Sequence, residues 1–229
     1  MNTVTLNGVS SSTISGLLIQ KLPVVKKPAV RFKKEEIDGR DGDSIIKLGY
    51  AAYDRELLIG LHGSYSEDDV IKFFNSSGSA IFSNEPDKVY NYEILNEMEL
   101  EKLLSFRQAV VTFHVQPFKH KANETLKTGT NSVTVTNTGN IYAKPTVKIT
   151  GSGDISLYIG STQIFQIALG AEVYISLNGE EMEARKGSVL KNRLVTGNYD
   201  NFVLPVGEST ISATGTVTGL EVSNYNRWV

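Results

Sequence analysis

The sequence predicts a mainly β protein with two domains, of which the first contains one α-helix. Three observations predict this class. Apolar and polar residues alternate along many short runs, turn-forming pairs that contain glycine separate the runs, and one segment has helical periodicity instead. Because successive side chains of a strand point to opposite faces, each alternating run is typical of a strand with one buried face in an antiparallel sheet.

The alternating runs extend over the whole chain. They are separated by pairs such as Asp38-Gly39, Asp41-Gly42 and Asn178-Gly179, whose residues tolerate the positive φ angles of tight turns. The predicted strands include the segments from Val4 to Leu6, Val30 to Phe32, Leu57 to Leu61, Val111 to Val115, Ile155 to Ile159, Phe165 to Leu169 and Val173 to Leu177. Many short strands with turns between them are typical of β-sandwiches and barrels.

One segment predicts an amphipathic helix of about three turns, over about 66–76. Ser66 is positioned to cap the first amides, with Asp69 at the third position of a capping box. Apolar side chains follow at the spacing of one helical face, at Val70, Phe73 and Phe74. Gly78 is positioned to end the helix, which we expect to pack on the sheet of the first domain.

A polar segment, 119–130, predicts a linker between the domains because it contains almost no apolar side chain. The N-terminal domain before it, 1–118, combines strands with the helix. The C-terminal domain after it, 131–229, contains only short strands and turns, which predicts a β-sandwich. For the stretch that begins near Glu97, a second helix and a loop are both open.

Composition excludes several classes of function. The 229 residues carry 23 basic and 25 acidic side chains, a formal net charge of −2, so no general or sequence-specific affinity for nucleic acid is expected. The chain has no cysteine, which excludes disulfides and cysteine nucleophiles. No apolar run approaches the ~20 residues of a membrane-spanning helix, and the first residues show no signal-peptide pattern. We therefore expect a protein that is soluble and cytoplasmic when it is made, with no membrane partner.

No motif for catalysis, cofactor binding or metal binding is present. The histidines lie in strand patterns or in the polar linker, without a nucleophile elbow or a zinc-binding pair: His62, His114 and His120. The acidic segment 35–43 resembles a calcium loop, but counting from Asp38 places Arg40 at position 3 and Gly49 at position 12, where ligands are required. We expect no enzymatic activity, no cofactor and no metal.

The same acidic segment predicts the tip of a hairpin arm over about 30–48. A basic strand leads into a turn from Asp38 to Asp43, and a returning strand contains Ile45, Ile46 and Leu48. The turn is too polar and too rich in glycine to be buried in the core of its own domain, so the hairpin is expected to project.

The sequence as a whole resembles the distal tail proteins of long-tailed phages that infect Gram-positive bacteria. No single motif carries the resemblance, which depends on the order and spacing of several segments. These are Asn7-Gly8-Val9, the turn from Ile37 to Asp43, the stretch from Ala80 to Tyr90, the strand end from Phe113 to Phe118, the stretch from Asn137 to Pro145, the stretch from Ile149 to Asp154, the stretch from Leu204 to Ser209, and Asn226-Arg227-Trp228.

The resemblance implies a structural role at the tail tip of the virion. In this family the first domain, which is tail-tube-like, assembles into a hexameric ring, and a galectin-like second domain lies at its periphery. The implied partners are five further copies of the chain, the major tail tube protein and the tail-associated lysin or tail hub protein. In some phages the outer domains also hold receptor-binding proteins, and DNA passes through the lumen of the ring.

A ring requires a contact surface, and the hairpin arm offers one. A projecting hairpin adds its edge to the sheet of a neighbour, with backbone hydrogen bonds of ~0.5–1.5 kcal/mol each. The candidate residues of the interface between subunits lie at the turn: Asp38, Arg40, Asp41 and Asp43.

A carbohydrate-binding module that contacts the host cell wall is the alternative function. It requires a cluster of exposed aromatic residues, for which the second domain supplies Tyr142, Tyr158, Tyr174 and Tyr199. The single tryptophan, Trp228, lies next to the C-terminus, and no histidine follows Thr130, so the sugar-binding residues of galectins have no counterpart here. A galectin-like fold does not carry the sugar site with it.

Overall fold

The computed structural model describes residues 1–95 and 107–229. The described chain divides into two compact units: unit 1 comprises Met1–Ala122 with Val229, and unit 2 comprises Asn123–Trp228. Strands dominate both units, and the described residues contain one α-helix. The prediction of a mainly β protein is therefore confirmed.

Unit 1 contains one curled antiparallel sheet and a separate two-stranded sheet. Its strands are β1 (Val4–Leu6), β2 (Val9–Ser10), β3 (Leu17–Lys21), β4 (Val30–Glu36), β5 (Asp43–Tyr50), β6 (Tyr53–Leu61), β7 (Ser77–Phe82), β8 (Lys88–Glu93) and β9 (Gln108–Lys121), with a 3-10 turn at Ser11–Thr13 and helix α1 at Glu67–Phe74. The sheet has the order β2-β1-β7-β8-β9-β6-β3, and β4 and β5 form a separate two-stranded sheet.

The core of unit 1 follows the predicted alternation. On β6 and β9 the buried side chains are every second residue, for example Leu57 and Ile59 opposite Val111 and Ala109. Helix α1 covers this face with its apolar stripe, and the rings of Phe74 and Phe113 meet edge to face with centroids 6.4 Å apart. Each such side chain contributes about 1.5–3 kcal/mol when it is fully buried.

Helix α1 begins as predicted and ends earlier. Ser66 is its N-cap, and the hydroxyl accepts a hydrogen bond from the Asp69 amide at 3.3 Å. The helix ends at Phe74 with Asn75 as the C-cap, so it has about two turns, and Gly78 does not end it. Gly78 lies instead in β7, at φ +134°, where a Cβ atom would approach the Asn7 side chain to 2.2 Å. The open question near Glu97 falls outside the described residues.

Unit 2 consists of strands and short 3-10 turns. The strands are β10 (Lys127–Gly129), β11 (Ser132–Asn137), β12 (Thr146–Ile159), β13 (Thr162–Ala168), β14 (Tyr174–Asn178), β15 (Glu183–Lys186), β16 (Val189–Leu190), β17 (Val195–Gly197), β18 (Gly207–Ser223) and β19 (Arg227–Trp228), and the 3-10 turns are Asn192–Leu194 and Tyr199–Asn201.

Two long strands, β12 and β18, bend so that one sheet forms both layers of unit 2. They are paired along their lengths, with irregularities around Gly151 and Ile155. Before the bend β12 also pairs with β14, and after it with β13. Gly215 lies at the bend of β18 with φ +107°, where a Cβ atom would meet the Asp154 carbonyl at 2.3 Å. Both halves contribute to one core, including Val147, Ile149, Ile175, Ile155, Leu157 and Phe165.

The segment predicted as a linker, 119–130, contains strand residues near both of its ends. β9 continues to Lys121, and β10 occupies Lys127–Gly129. Lys119 is buried because its stem extends the alternation of β9 and its ammonium group pairs with Glu85 at 3.1 Å. The polarity of the segment did not predict the burial of Lys119, because the sequence does not distinguish a lysine with a buried partner from a lysine exposed to solvent.

Candidate functional site

The two-stranded sheet of β4 and β5, with its turn at 37–42, forms an exposed arm, here called the arm. The strands pair from Val30 with Tyr50 to Glu36 with Asp43, where the sequence predicts a hairpin over about 30–48. A bulge near the base leaves Leu48 without a direct partner, because Arg31 pairs with Gly49 and Phe32 with Lys47.

The predicted interface residues lie together at the tip of the arm. Asp38, Arg40 and Asp41 are exposed in the turn, which is closed by a hydrogen bond from the Arg40 amide to the Ile37 carbonyl at 3.1 Å. Asp43 is the first residue of β5, and its carboxylate lies 3.1 Å from the Lys34 ammonium group. Their role in an interface stays a prediction.

Apolar side chains are exposed on both faces of the arm. Phe32 is 56% exposed and Ile45 is 61% exposed, and the strand register places them on one face. Ile46 follows Ile45 and therefore points to the other face, where it is also exposed. A two-stranded hairpin is marginally stable by itself, and an uncovered apolar surface of this kind marks a contact site for another molecule.

Charge is distributed unevenly along the arm. Four basic residues, Arg31, Lys33, Lys34 and Lys47, lie in the half near the base. The acidic residues Glu35, Glu36, Asp38, Asp41 and Asp43 lie toward the tip, together with the basic Arg40. Some of them pair within the arm, as Lys33 does with Glu35 at 2.6 Å. Exposed pairs contribute only ~0–1 kcal/mol each, so these charges stabilise the hairpin little.

The chain that leads into the arm is fixed by a buried arginine. Arg55 lies on the core face of β6, and its side chain is inaccessible to solvent. Its Nη2 atom donates hydrogen bonds to the carbonyl oxygens of Pro23 at 3.3 Å and Val24 at 3.5 Å. Asn84 Nδ2 also donates to the Pro23 carbonyl, at 3.0 Å. These bonds hold the segment that precedes β4 against the sheet.

Arg55 belongs to a buried ionic group, here called the root cluster, with Glu85, Tyr90 and Lys119. Glu85 lies 3.4 Å from Arg55 Nη2 and 3.1 Å from Lys119 Nζ, and it accepts a hydrogen bond from the Tyr90 hydroxyl. The Arg55 guanidinium also lies over the Tyr90 ring, 4.3 Å from its centroid. Two cations thus share one carboxylate in a largely apolar setting.

The root cluster changes the acidity of its members. Burial by itself raises the pKa of the Glu85 carboxyl, but the hydrogen bonds from Tyr90 and Lys119 and the charges of Lys119 and Arg55 outweigh it, so the pKa is lowered. Burial, followed by the hydrogen bond to Glu85, raises the pKa of Tyr90. Glu85 is therefore ionised and Tyr90 neutral at physiological pH.

Sequence reasoning missed the root cluster, although one signal was available. Arg55 occupies a position in β6 that alternates with Leu57 and Ile59, so it falls on the buried face. A charged residue in an apolar alternation indicates a buried charge that requires a partner. The partner itself, Glu85, is 30 residues distant and carries no local signal.

Contacts outside the root cluster hold the base of the arm, where β4 begins and β5 ends. The Ala51 amide donates to the Ala29 carbonyl at 2.8 Å, directly below the first strand pair of the arm. The ring of Tyr50 packs edge to face on Phe118 with centroids 5.4 Å apart. Both strands of the arm are thus anchored at the base, whereas the residues at the tip are exposed to solvent.

Features that would support other functions are scattered. Tyr199 packs against Phe165 and Phe202, and Tyr174 lies near Lys148 and Lys186, so the tyrosines considered for sugar binding do not form one exposed platform. Within residues 1–95 and 107–229, no three His, Asp or Glu side chains are grouped so as to hold a metal ion. Over the same residues, no helix has the length and apolar character needed to cross a membrane.

The two β units and the uncovered arm define a mainly antiparallel β protein whose most conspicuous surface is suited to contact with another protein. No protein-family model matches the sequence, and no curated protein matches it significantly. Among solved structures, the Dit (gp 19.1) protein of phage SPP1, described as a paradigm of the hub adsorption apparatus in phages infecting Gram-positive bacteria, matches over 100% of both chains with a TM-score of 0.66 and 16% identity.

A second match is to a chain of the phage P2 baseplate in its activated conformation with Ca, over 97% of both chains, with a TM-score of 0.50 and 10% identity. At such low identities the likeness establishes the fold. The resemblance to the distal tail proteins is therefore confirmed at the level of the fold, over the whole length of the chain.

Proposed function

We propose that this chain is a non-enzymatic structural subunit of a phage tail tip. The observation that carries the proposal is the match to SPP1 Dit over the full length of both chains, units 1 and 2 together. Because the match extends over both chains completely, it includes the order of the structural elements along the whole chain and is not limited to a single β-sandwich, which is a common fold. The order of sequence segments that resembles the distal tail proteins supports the same role independently.

In this role unit 1 forms a hexameric ring that continues the tail tube. The exposed arm supports this assignment, because its apolar faces and free strand edges are uncovered in the single chain. A contact between the arm of one copy and a different surface of the next is head-to-tail, and it closes into a ring when the rotation allows. The tail tube protein and the tail-associated lysin or hub protein are the proposed axial partners.

Unit 2 is proposed to lie at the periphery of the ring, where it is available to hold a receptor-binding protein. The tyrosines of unit 2 are dispersed, so nothing in its geometry favours the alternative of a carbohydrate-binding module.

The proposal predicts that the purified full chain forms hexamers, measured by size-exclusion chromatography with light scattering and viewed as rings by electron microscopy. Deletion of residues 36–44 removes the tip and is expected to abolish the hexamer. Arg40→Ala is the matched variant: it leaves the hairpin intact and removes an exposed charge worth about 0–1 kcal/mol, so it is expected only to weaken assembly. A hexamer that survives the deletion contradicts the role of the arm.

A further inference from the structure

A pocket of about 240 Å³ lies beside the root cluster, between strand β6 and the chain segment that leads into the arm. Strand β3 pairs with β6 only from Leu61 back to Leu58, so the edge of β6 before Leu58 is not paired with β3. The pocket is lined by Lys21, Leu22, Val24, Lys26, Arg55, Glu56, Leu58 and Val110. Its charged lining therefore comprises three cations and one carboxylate.

Arg55 supplies the buried charge of this pocket. Its Nη2 atom donates hydrogen bonds to the Pro23 and Val24 carbonyls and to the Glu85 carboxylate. Its Nε and Nη1 atoms are also buried, and they have no hydrogen-bond partner among the residues that the structure describes. Buried polar groups of folded proteins are nearly always hydrogen bonded, and a guanidinium only donates. The two nitrogens therefore indicate a ligand that accepts hydrogen bonds.

The charge around Arg55 favours an anion over water as that ligand. Arg55 and Lys119 share the single carboxylate of Glu85, which leaves the root cluster with one more positive than negative charge. The rings of Phe82 and Tyr90, whose centroids lie 4.6 Å and 4.3 Å from the guanidinium carbon, attract this cation but carry no charge of their own. An enclosed positive charge in excess is costly, and a bound anion offsets it.

The other polar groups of the pocket suit an ion with several oxygen atoms. Lys21 and Lys26 are exposed at its mouth, where their flexible side chains reach a bound anion. The backbone of β6 adds a donor, because alternate amides point to opposite edges of the strand. The Leu61 amide donates to the chain just before β9, and the His62 amide donates to the chain just before β3. The Glu56 amide has the same parity as His62 and therefore points toward the pocket.

We propose that this pocket binds a small oxyanion, held by Arg55 at the inner end and by Lys21 and Lys26 at the mouth. A small rotation of the guanidinium turns one of its enclosed nitrogens toward the anion, and hydrogen bonds between ionised groups are the strong ones. The anion then connects β6 to the segment that leads into the arm, so its binding stabilises unit 1. This site lies within one chain and is independent of the role proposed at the tail tip.

Titration of inorganic phosphate into the full-length chain tests the site by isothermal calorimetry, with sodium chloride holding the ionic strength constant. We expect saturable binding of one phosphate per chain. Because phosphate binds the folded chain, it is also expected to raise the thermal midpoint of unit 1. Sodium chloride at the same ionic strength is the control. The absence of saturable binding, or an equal rise of the midpoint in chloride alone, overturns the proposal.

Two neighbouring lysines provide matched variants, since both are exposed and only Lys26 lines the pocket. Lys26→Ala is expected to weaken phosphate binding about threefold to fivefold, the effect of one partly solvated charge pair. Lys27→Ala removes the same charge from the adjacent position and is expected to leave the affinity unchanged. Equal losses in the two variants would mean that phosphate responds only to the general charge of the segment, and would contradict the site.

Two further variants test the inner end and the sign of the charge. Arg55→Lys keeps the positive charge of the root cluster but removes the guanidinium nitrogens, and we expect it to lose saturable binding while circular dichroism shows the native fold. Glu56→Gln removes the carboxylate that lines the pocket and is expected to strengthen binding. Weaker binding by Glu56→Gln refutes the site, and this variant decides the matter if Arg55→Lys does not fold. Hexamers that bind no phosphate refute the anion site and leave the proposed role intact.

Discussion

The arm and its root cluster contain the same kinds of charged residue in opposite surroundings. Lys33 and Glu35 on the arm are exposed, whereas Arg55 and Glu85 at the root are enclosed by aromatic rings and backbone. An exposed pair is largely solvated already, so forming it changes the free energy little. A buried pair has lost its water, so removing one partner leaves the other uncompensated. The comparison indicates that the root fixes the arm in place and that the arm itself is available for a partner.

Removal of the shared carboxylate tests the root most strongly. Glu85→Ala leaves Arg55 and Lys119 buried without an anion, and we expect the free energy of unfolding of unit 1 to fall by about 3–5 kcal/mol. Urea denaturation of the full chain measures this, with the transition of unit 2 as an internal reference. A loss below about 1 kcal/mol would mean that water or a rearranged side chain compensates the cations, and that the root is no more rigid than the arm.

Lowering the pH tests the same difference between the root cluster and the arm without changing the volume of any side chain. The pKa of Glu85 is lower in the folded chain than its ordinary value of 4.5. Its contribution to stability is therefore complete above that value and is lost as the pH falls through the lower folded pKa. We expect the urea midpoint of unit 1 to decrease between about pH 5 and about pH 2. Glu85→Gln serves as the control, and a steeper loss in the wild type than in this variant assigns the effect to Glu85.

Removal of one charge from the arm is expected to have the smallest of these effects on the free energy of unfolding. Lys34 lies 3.1 Å from Asp43 and 3.3 Å from Glu36, and all three are exposed. Lys34→Ala is expected to change the free energy of unfolding by less than about 1 kcal/mol. Calorimetry of the variant beside Glu85→Ala gives the comparison directly. Equal losses for the two variants would contradict the distinction between an exposed arm and a buried root.

Sequence alone was sufficient for features with a local cause. The strands follow from a period of two, as on β6 and β9, because that pattern matches the pleat wherever one face is buried. The N-terminus of α1 follows from the Ser66 cap and its acidic first turn, and the projecting arm follows from a polar, glycine-rich turn. The resemblance over the whole chain also predicted the fold that the match to SPP1 Dit confirms.

Tertiary structure alone decided the features that join distant parts of the chain. Arg55 meets Glu85 across 30 positions, and the end of β9 buries Lys119 where polarity predicted a linker. Charge and polarity are properties of a residue, but burial and partners are properties of the folded surroundings. For that reason the sequence located the arm, and only the structure located its anchor.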